Sequence, residues 1–218
     1  MFNNLDTITL LTRIPALLIA FTVHELFHGL SAYMLGDSTA KNDGRLSLNP
    51  IRHIDPIGFI FILLFRFGWA KPVMVNLNNL RNPKWDYAVI SIAGPISNLV
   101  MAFIAIMTFI PLMALEYISV GGYIFRFIDE FIRLNLLLAV FNMIPIPPLD
   151  GSKFFTVWLP DSMYYAFQNT FGRIGFPLLL IGMWLGLTGQ VIWPVYQFLI
   201  VGMFDFAIGV YSSLGLLY

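Results

Sequence analysis

Apolar stretches, several of them long enough to cross a hydrocarbon layer, recur along the whole chain, and no other feature narrows its fold so far. They run from about Ile8 to Leu35, Tyr87 to Leu115, Phe125 to Leu149, Gly175 to Leu187 and Val191 to Leu217. Only 11% of the 218 residues are charged and 58% are hydrophobic, whereas a soluble domain carries about a quarter charged residues. The chain therefore reads as one multi-pass membrane domain. Net charge is zero and no lysine or arginine block is present, so nucleic acid is not an expected partner. Cysteine is absent, which excludes disulfides and thiolate metal sites. The first apolar stretch lacks a basic leader and carries His24, Glu25 and His28, so it is expected to remain in the working protein rather than be cleaved as a signal.

A shorter apolar segment, Ile57 to Trp69, has only about 13 residues, few for a straight crossing. If it crossed, Lys41, Arg45 and Arg52 would lie opposite Lys71, Arg81 and Lys84. If it dips in and returns, all six share one face with Lys153 and Arg173, while Arg126 and Arg133 lie on the other. Cytoplasmic loops carry the excess of positive charge, which favours the second arrangement. The expectation is then about five crossings plus a re-entrant or hairpin segment near 57–75, in the cell membrane. The N-terminus would be outside, and the C-terminus cytoplasmic. A re-entrant backbone survives only inside protein or along a wet cavity, so this one is expected to wall a site.

His24-Glu25-Leu26-Phe27-His28 has the His-Glu-x-x-His form. On a helix, positions i and i+4 share a face, so both imidazoles can reach one tetrahedral zinc, and the adjacent Glu25 can take a proton from a water there. A buried hydrogen-bonding cluster is the alternative, but ionisable groups within a membrane helix rarely persist without a task. Two histidines leave a catalytic zinc one protein ligand short. Asp150 is the candidate third, at the end of Asn142-Met-Ile-Pro145-Ile-Pro147-Pro148-Leu-Asp150-Gly151, a run whose prolines make a stiff extended strut. An exposed interfacial aspartate is the competing view. The re-entrant topology decides for the ligand, because it brings His24, His28 and Asp150 to the same side.

These residues resemble the site-2 protease family of zinc metalloproteases. The resemblance rests on His24-Glu25-x-x-His28, Gly94-Pro95-Ile96-Ser97-Asn98 and the Asn142–Gly151 run. Gly44-Arg45-Leu46-Ser47-Leu48-Asn49-Pro50, His53-Ile54-Asp55-Pro56 and Gly68-Trp69-Ala70-Lys71-Pro72-Val73 reinforce it. It spans about residues 20–155 and is closest to a compact bacterial branch without PDZ or CBS domain. It implies an all-α fold, one Zn2+ per chain held by His24, His28 and Asp150, and Glu25 as the catalytic base. The implied reaction is hydrolysis of a peptide bond in or near a transmembrane segment of a membrane-protein substrate. Phe27 stands where relatives often carry a small residue, and Met74 replaces a proline common after Lys71-Pro72-Val73. The domain reading is a single unit, 1–218, with a catalytic core over about 8–155 and C-terminal helices over about 164–218.

Asn142 is a candidate to steady the developing oxyanion, or else a helix-end hydrogen bonder. Asn98 is expected either to donate a hydrogen bond into the cavity or only to pack, and Gly94 and Pro95 are read as packing residues. His53 is a candidate to assist or to regulate access, or is an ordinary interfacial histidine. Asp205 receives no role. A transporter or channel using the buried His and carboxylates is the rival function, but it calls for polar residues along a path, and here they cluster at one depth. A catalytically dead scaffold would have no use for Glu25. The partners expected are a transmembrane substrate and the bilayer; a homo-oligomer is left open.

Overall fold

The computed structural model describes residues 7–65 and 68–216, and among these it is all-helical, with one isolated bridge in place of any sheet. The elements are α1 (Thr7–Met34), α2 (Thr39–Asn42), α3 (Pro56–Phe65), α4 (Pro83–Ala114), α5 (Tyr123–Asn142), α6 (Asp150–Thr156), α7 (Asp161–Trp184) and α8 (Leu187–Ser213). Helices α1, α4 and α5 form the central bundle, α6 closes on α4, and α8 packs along α4 and α5. Side-chain pairs give the directions. Tyr123 at the start of α5 bonds the Leu11 carbonyl near the start of α1, so these two helices run the same way. The rings of Phe109 and Phe125 meet at 5.4 Å, which makes α4 antiparallel to them. Phe206 lies 5.8 Å from Phe103, and the Tyr211 hydroxyl donates to the Met107 carbonyl, so α8 runs parallel to α4.

Two of those contacts repair proline gaps. Pro15 in α1 and Pro111 in α4 lack an N–H, which frees the carbonyls four residues earlier, those of Leu11 and Met107. In an apolar surrounding a free carbonyl is costly. The Tyr123 hydroxyl donates to Leu11 O at 3.2 Å, and the Tyr211 hydroxyl donates to Met107 O at 2.5 Å.

Among the described residues, three helices are long and apolar enough to cross a membrane: residues Ile8–Met34 of α1, α4, and α8. The expected count of five crossings is not reached by length and composition. Helix α5 sits at the centre of the bundle, but Arg126, Asp129, Glu130 and Arg133 charge its first half. Helix α7 gathers near one end of the bundle: Asp161 pairs with Lys84 at the start of α4, and Gly175 lies against the Pro147 carbonyl. Because α8 then runs parallel to α4, the start of α1 and the end of α8 lie at the same end of the bundle. The sequence reading had set the two termini on opposite faces.

Residues 54–65 and 68–76 make the two limbs of a hairpin, α3 going out and a non-helical segment coming back. Lys71 N–H donates to His53 O at 2.9 Å and Ile54 bridges Ala70 in antiparallel fashion, so the chain leaves and returns at one level. The return strand passes so close to α3 that a Cβ on Gly58 would lie 2.1 Å from the Trp69 carbonyl oxygen. The base of the hairpin is held by the buried Arg45, whose guanidinium donates to the carbonyls of Arg52 and Lys71. Its far side is held by the fully buried Asp37. That carboxylate accepts from Thr39 N–H (3.1 Å), Thr39 Oγ1 (2.6 Å), Asn76 N–H (2.8 Å) and Asn79 Nδ2 (2.8 Å).

Candidate metal centre

His24 and His28 are separated by one turn of α1 and project from one face, as their spacing requires. Asp150 is the first residue of α6, placed there by the proline run that ends α5. Gly151 presses α6 onto that run, since a Cβ at this position would lie 2.2 Å from the Met143 carbonyl oxygen. The three side chains, all buried, converge on one point. His24 Nε2 and His28 Nε2 are 3.0 Å apart, and they stand 3.2 and 3.1 Å from Asp150 Oδ2.

The outer nitrogens say what the inner ones present. His24 Nδ1 donates to Asn98 Oδ1 at 2.6 Å, and His28 Nδ1 donates to the Ile90 carbonyl at 2.7 Å. With Nδ1 carrying the proton, each neutral imidazole turns a lone pair at Nε2 towards the other two groups. Two imidazole lone pairs and a carboxylate oxygen facing one another at this range repel unless a cation lies among them. Their spacing suits one, because donor atoms about 2.0–2.1 Å from a tetrahedral zinc lie about 3.3 Å from each other. Helix α4 leaves the space: a Cβ on Gly94 would fall 2.5 Å from His28 Nε2 and 2.6 Å from His24 Nε2.

Asn98 is held as firmly as the histidine it orients. Its Nδ2 donates to Asn135 Oδ1 (2.8 Å) and to the Ala20 carbonyl (3.2 Å), which leaves Oδ1 as the acceptor. Asn135 in turn donates to the Phe131 carbonyl at 2.8 Å, and both amides are fully buried. Asn98 thus meets the site as an acceptor rather than the expected donor. Glu25, also buried, accepts from the Val73 N–H at 2.9 Å, which ties it to the return strand of the hairpin.

The other expected residues spend their hydrogen bonds elsewhere. Asn142 turns its amide back onto the Leu138 carbonyl of its own helix at 3.0 Å. His53 is buried in the hairpin base, donating from Nε2 to the Ser47 carbonyl at 2.8 Å. Among the described residues neither is hydrogen-bonded to the three converging side chains. Burial pushes the His53 imidazole below its ordinary pKa, and the nearby Arg45 adds to this, together outweighing the Ser47 bond and the Glu25 charge. Phe27 is 41% exposed, so its bulk leaves the convergence undisturbed.

Three contributors escaped the sequence reading. Asn135 was signalled by an amide within an apolar helix, and Lys153 by its place one turn after Asp150. Arg45 enters the sequence reading as a loop charge and part of a motif, without a partner. Lys153 Nζ lies 3.2 Å from Asp150 Oδ1 and 5.2 Å from the Tyr87 ring centroid.

The chain is 40% identical to "Putative zinc metalloprotease YwhC" of Bacillus subtilis over 184 residues, covering 82% of this chain and 83% of that protein. It is 28% identical over 158 residues to "Putative zinc metalloprotease MJ0611" of Methanocaldococcus jannaschii, covering 70% and 73%. With "Putative zinc metalloprotease Rip2" of Mycobacterium tuberculosis it shares 28% identity over 142 residues, covering 62% and 52%. No protein-family model and no solved structure matches it.

Proposed function

This chain belongs to the site-2 protease family of zinc metalloproteases, and from that membership we propose that it hydrolyses peptide bonds in or near transmembrane segments of membrane-protein substrates. The observation that carries the reading is the convergence of three proton acceptors, His24 Nε2, His28 Nε2 and Asp150 Oδ2, with Glu25 next in sequence to the first. These three atoms would hold one Zn2+. When bound, zinc supplies Lewis acidity, polarising the scissile carbonyl and acidifying a water.

The remaining work falls to the chain. The Asn98 oxygen and the Ile90 carbonyl hold the two imidazoles in the ligating tautomer. Glu25 takes a proton on its carboxylate and hands it to the leaving amine, oriented meanwhile by the Val73 N–H. Asn142 steadies negative charge on the substrate carbonyl oxygen, which requires its amide to leave Leu138. A substrate helix must first open, since its backbone groups are already paired. The non-helical segment 70–76 offers a place to receive it by strand pairing, with Met74 64% exposed beside the Glu25 contact.

Lys41, Arg45, Arg52, Lys71, Arg81, Lys84 and Lys153 lie at the end of the bundle nearer the histidines, and that excess of positive charge supports a cytoplasm-facing site. The test is zinc analysis of the purified protein beside cleavage of a model transmembrane substrate. Glu25→Gln should keep its zinc and lose about 10²–10⁴-fold in cleavage rate, and Asp150→Ala should lose the zinc. Full cleavage by Glu25→Gln would refute the assigned base. Metal transport into liposomes without any cleavage would refute the protease.

A further inference from the structure

The carboxylate of Asp150 is divided between two duties. Oδ2 faces the two imidazole nitrogens at 3.2 and 3.1 Å, while Oδ1 accepts from Lys153 Nζ at 3.2 Å. The division matters because a carboxylate can give a metal one oxygen or both. Two imidazoles and both oxygens would supply four donors, the full complement of a closed structural site, and a catalytic ion needs one position free of protein.

Lys153 is well placed to prevent that closure. It lies one turn beyond Asp150 on α6, and α6 is fixed by the contact of Gly151 with the Met143 carbonyl. Its side chain is 22% exposed, lies against the Tyr87 ring of α4, and points its ammonium at Oδ1. An ammonium on the outer oxygen opposes any rotation that would bring that oxygen to the ion. We propose that Lys153 is a positioning residue that keeps Asp150 a one-oxygen ligand and so leaves a coordination position open for the reaction. The inference rests on the metalloprotease reading above and concerns how that site stays catalytic rather than structural.

The experiment uses the detergent-solubilised protein loaded with cobalt(II) in place of zinc, with azide, which ligates through one terminal nitrogen, as a probe of the open position. Wild type, Lys153→Met and Lys153→Arg are titrated with azide by visible absorption and assayed for cleavage. Lys153→Met retains the aliphatic stem and loses the charge. It should bind one cobalt, bind azide at least tenfold more weakly, and cleave at least tenfold more slowly with KM within twofold of wild type. Lys153→Arg, which can still donate to Oδ1, should recover both. Azide affinity in Lys153→Met equal to wild type overturns the proposal. So does loss of cobalt from Lys153→Met, since the lysine would then be holding the ligand in place rather than restraining its second oxygen. Wild-type protein that takes up no cobalt would defeat the metalloprotease reading itself, and the inference with it.

Discussion

Gly94 is the residue at which sequence and structure diverge most usefully. As part of a Gly-Pro pair in an apolar helix it reads as a packing residue, and it does let α4 approach α1. What α4 approaches, however, is the pair of histidine Nε2 atoms, at 2.5 and 2.6 Å from a Cβ at that position. Gly94→Ala should therefore cost metal affinity, by at least the roughly 10–100-fold that follows when a partner of a ligating histidine is removed. Competition with a chromogenic chelator measures it, and unchanged affinity would show that the helix can yield. The convergence itself was legible: His24 and His28 by spacing, and Asp150 because a re-entrant segment near 57–75 brings the end of the proline run to the side of the two histidines. The partners were not. Whether Asn98 accepts or donates is decided by Asn135 and the Ala20 carbonyl, which stand 37 and 78 residues away in sequence. Lys153 is a different case, because its i,i+3 relation to Asp150 was available from the sequence and only its target oxygen was not.

Among the elements, the hairpin was anticipated from the shortness of its apolar segment and from the charge around it. Its two fastenings, Arg45 at the base and Asp37 at the far side, depend on loop geometry that no periodicity encodes. At Asp37 burial alone would raise the pKa, but hydrogen bonds from Thr39, Asn79 and the backbone of Asn76 outweigh it and lower the pKa. A carboxylate with a depressed folded pKa contributes fully above its ordinary value of 3.8, and its contribution is lost as the pH falls below that. Amide exchange at Asn76 should accordingly speed up, relative to the intrinsic rate, as pH drops below 3.8. Asp37→Asn should remove that pH dependence. The proline repairs were also hidden, since the tyrosine that reaches a freed carbonyl belongs to another helix. Tyr211→Phe strands the Met107 carbonyl and should cost about 1–3 kcal/mol. In a Pro111→Ala background the helix regains its own N–H, and the same substitution should cost much less. Thermal unfolding of the four proteins in one detergent measures the difference, and equal costs in both backgrounds would dismiss the repair.

At the scale of the molecule, hydrophobic lengths alone do not describe the C-terminal third. The stretch Gly175–Leu187 reads as a crossing of its own, yet all but its last three residues are the tail of α7, a helix that begins at Asp161 and carries Gln168, Asn169 and Arg173. Its anchors, Lys84 and the Pro147 carbonyl, hold it near the end of the bundle that carries the histidines. Helix α8 then climbs beside α4 to the opposite end, where α1 begins. That arrangement has a practical consequence for anyone labelling the protein. A pair of complementary split-fluorophore fragments, one fused ahead of α1 and the other behind α8, would lie at one end of the bundle on a single molecule and assemble there, away from the end at which α6 and α7 sit. Fluorescence from such a doubly tagged chain, quenched by a reagent added to one face of the membrane alone, is the expected signal; darkness from two well-expressed tags would mean that α7 crosses after all.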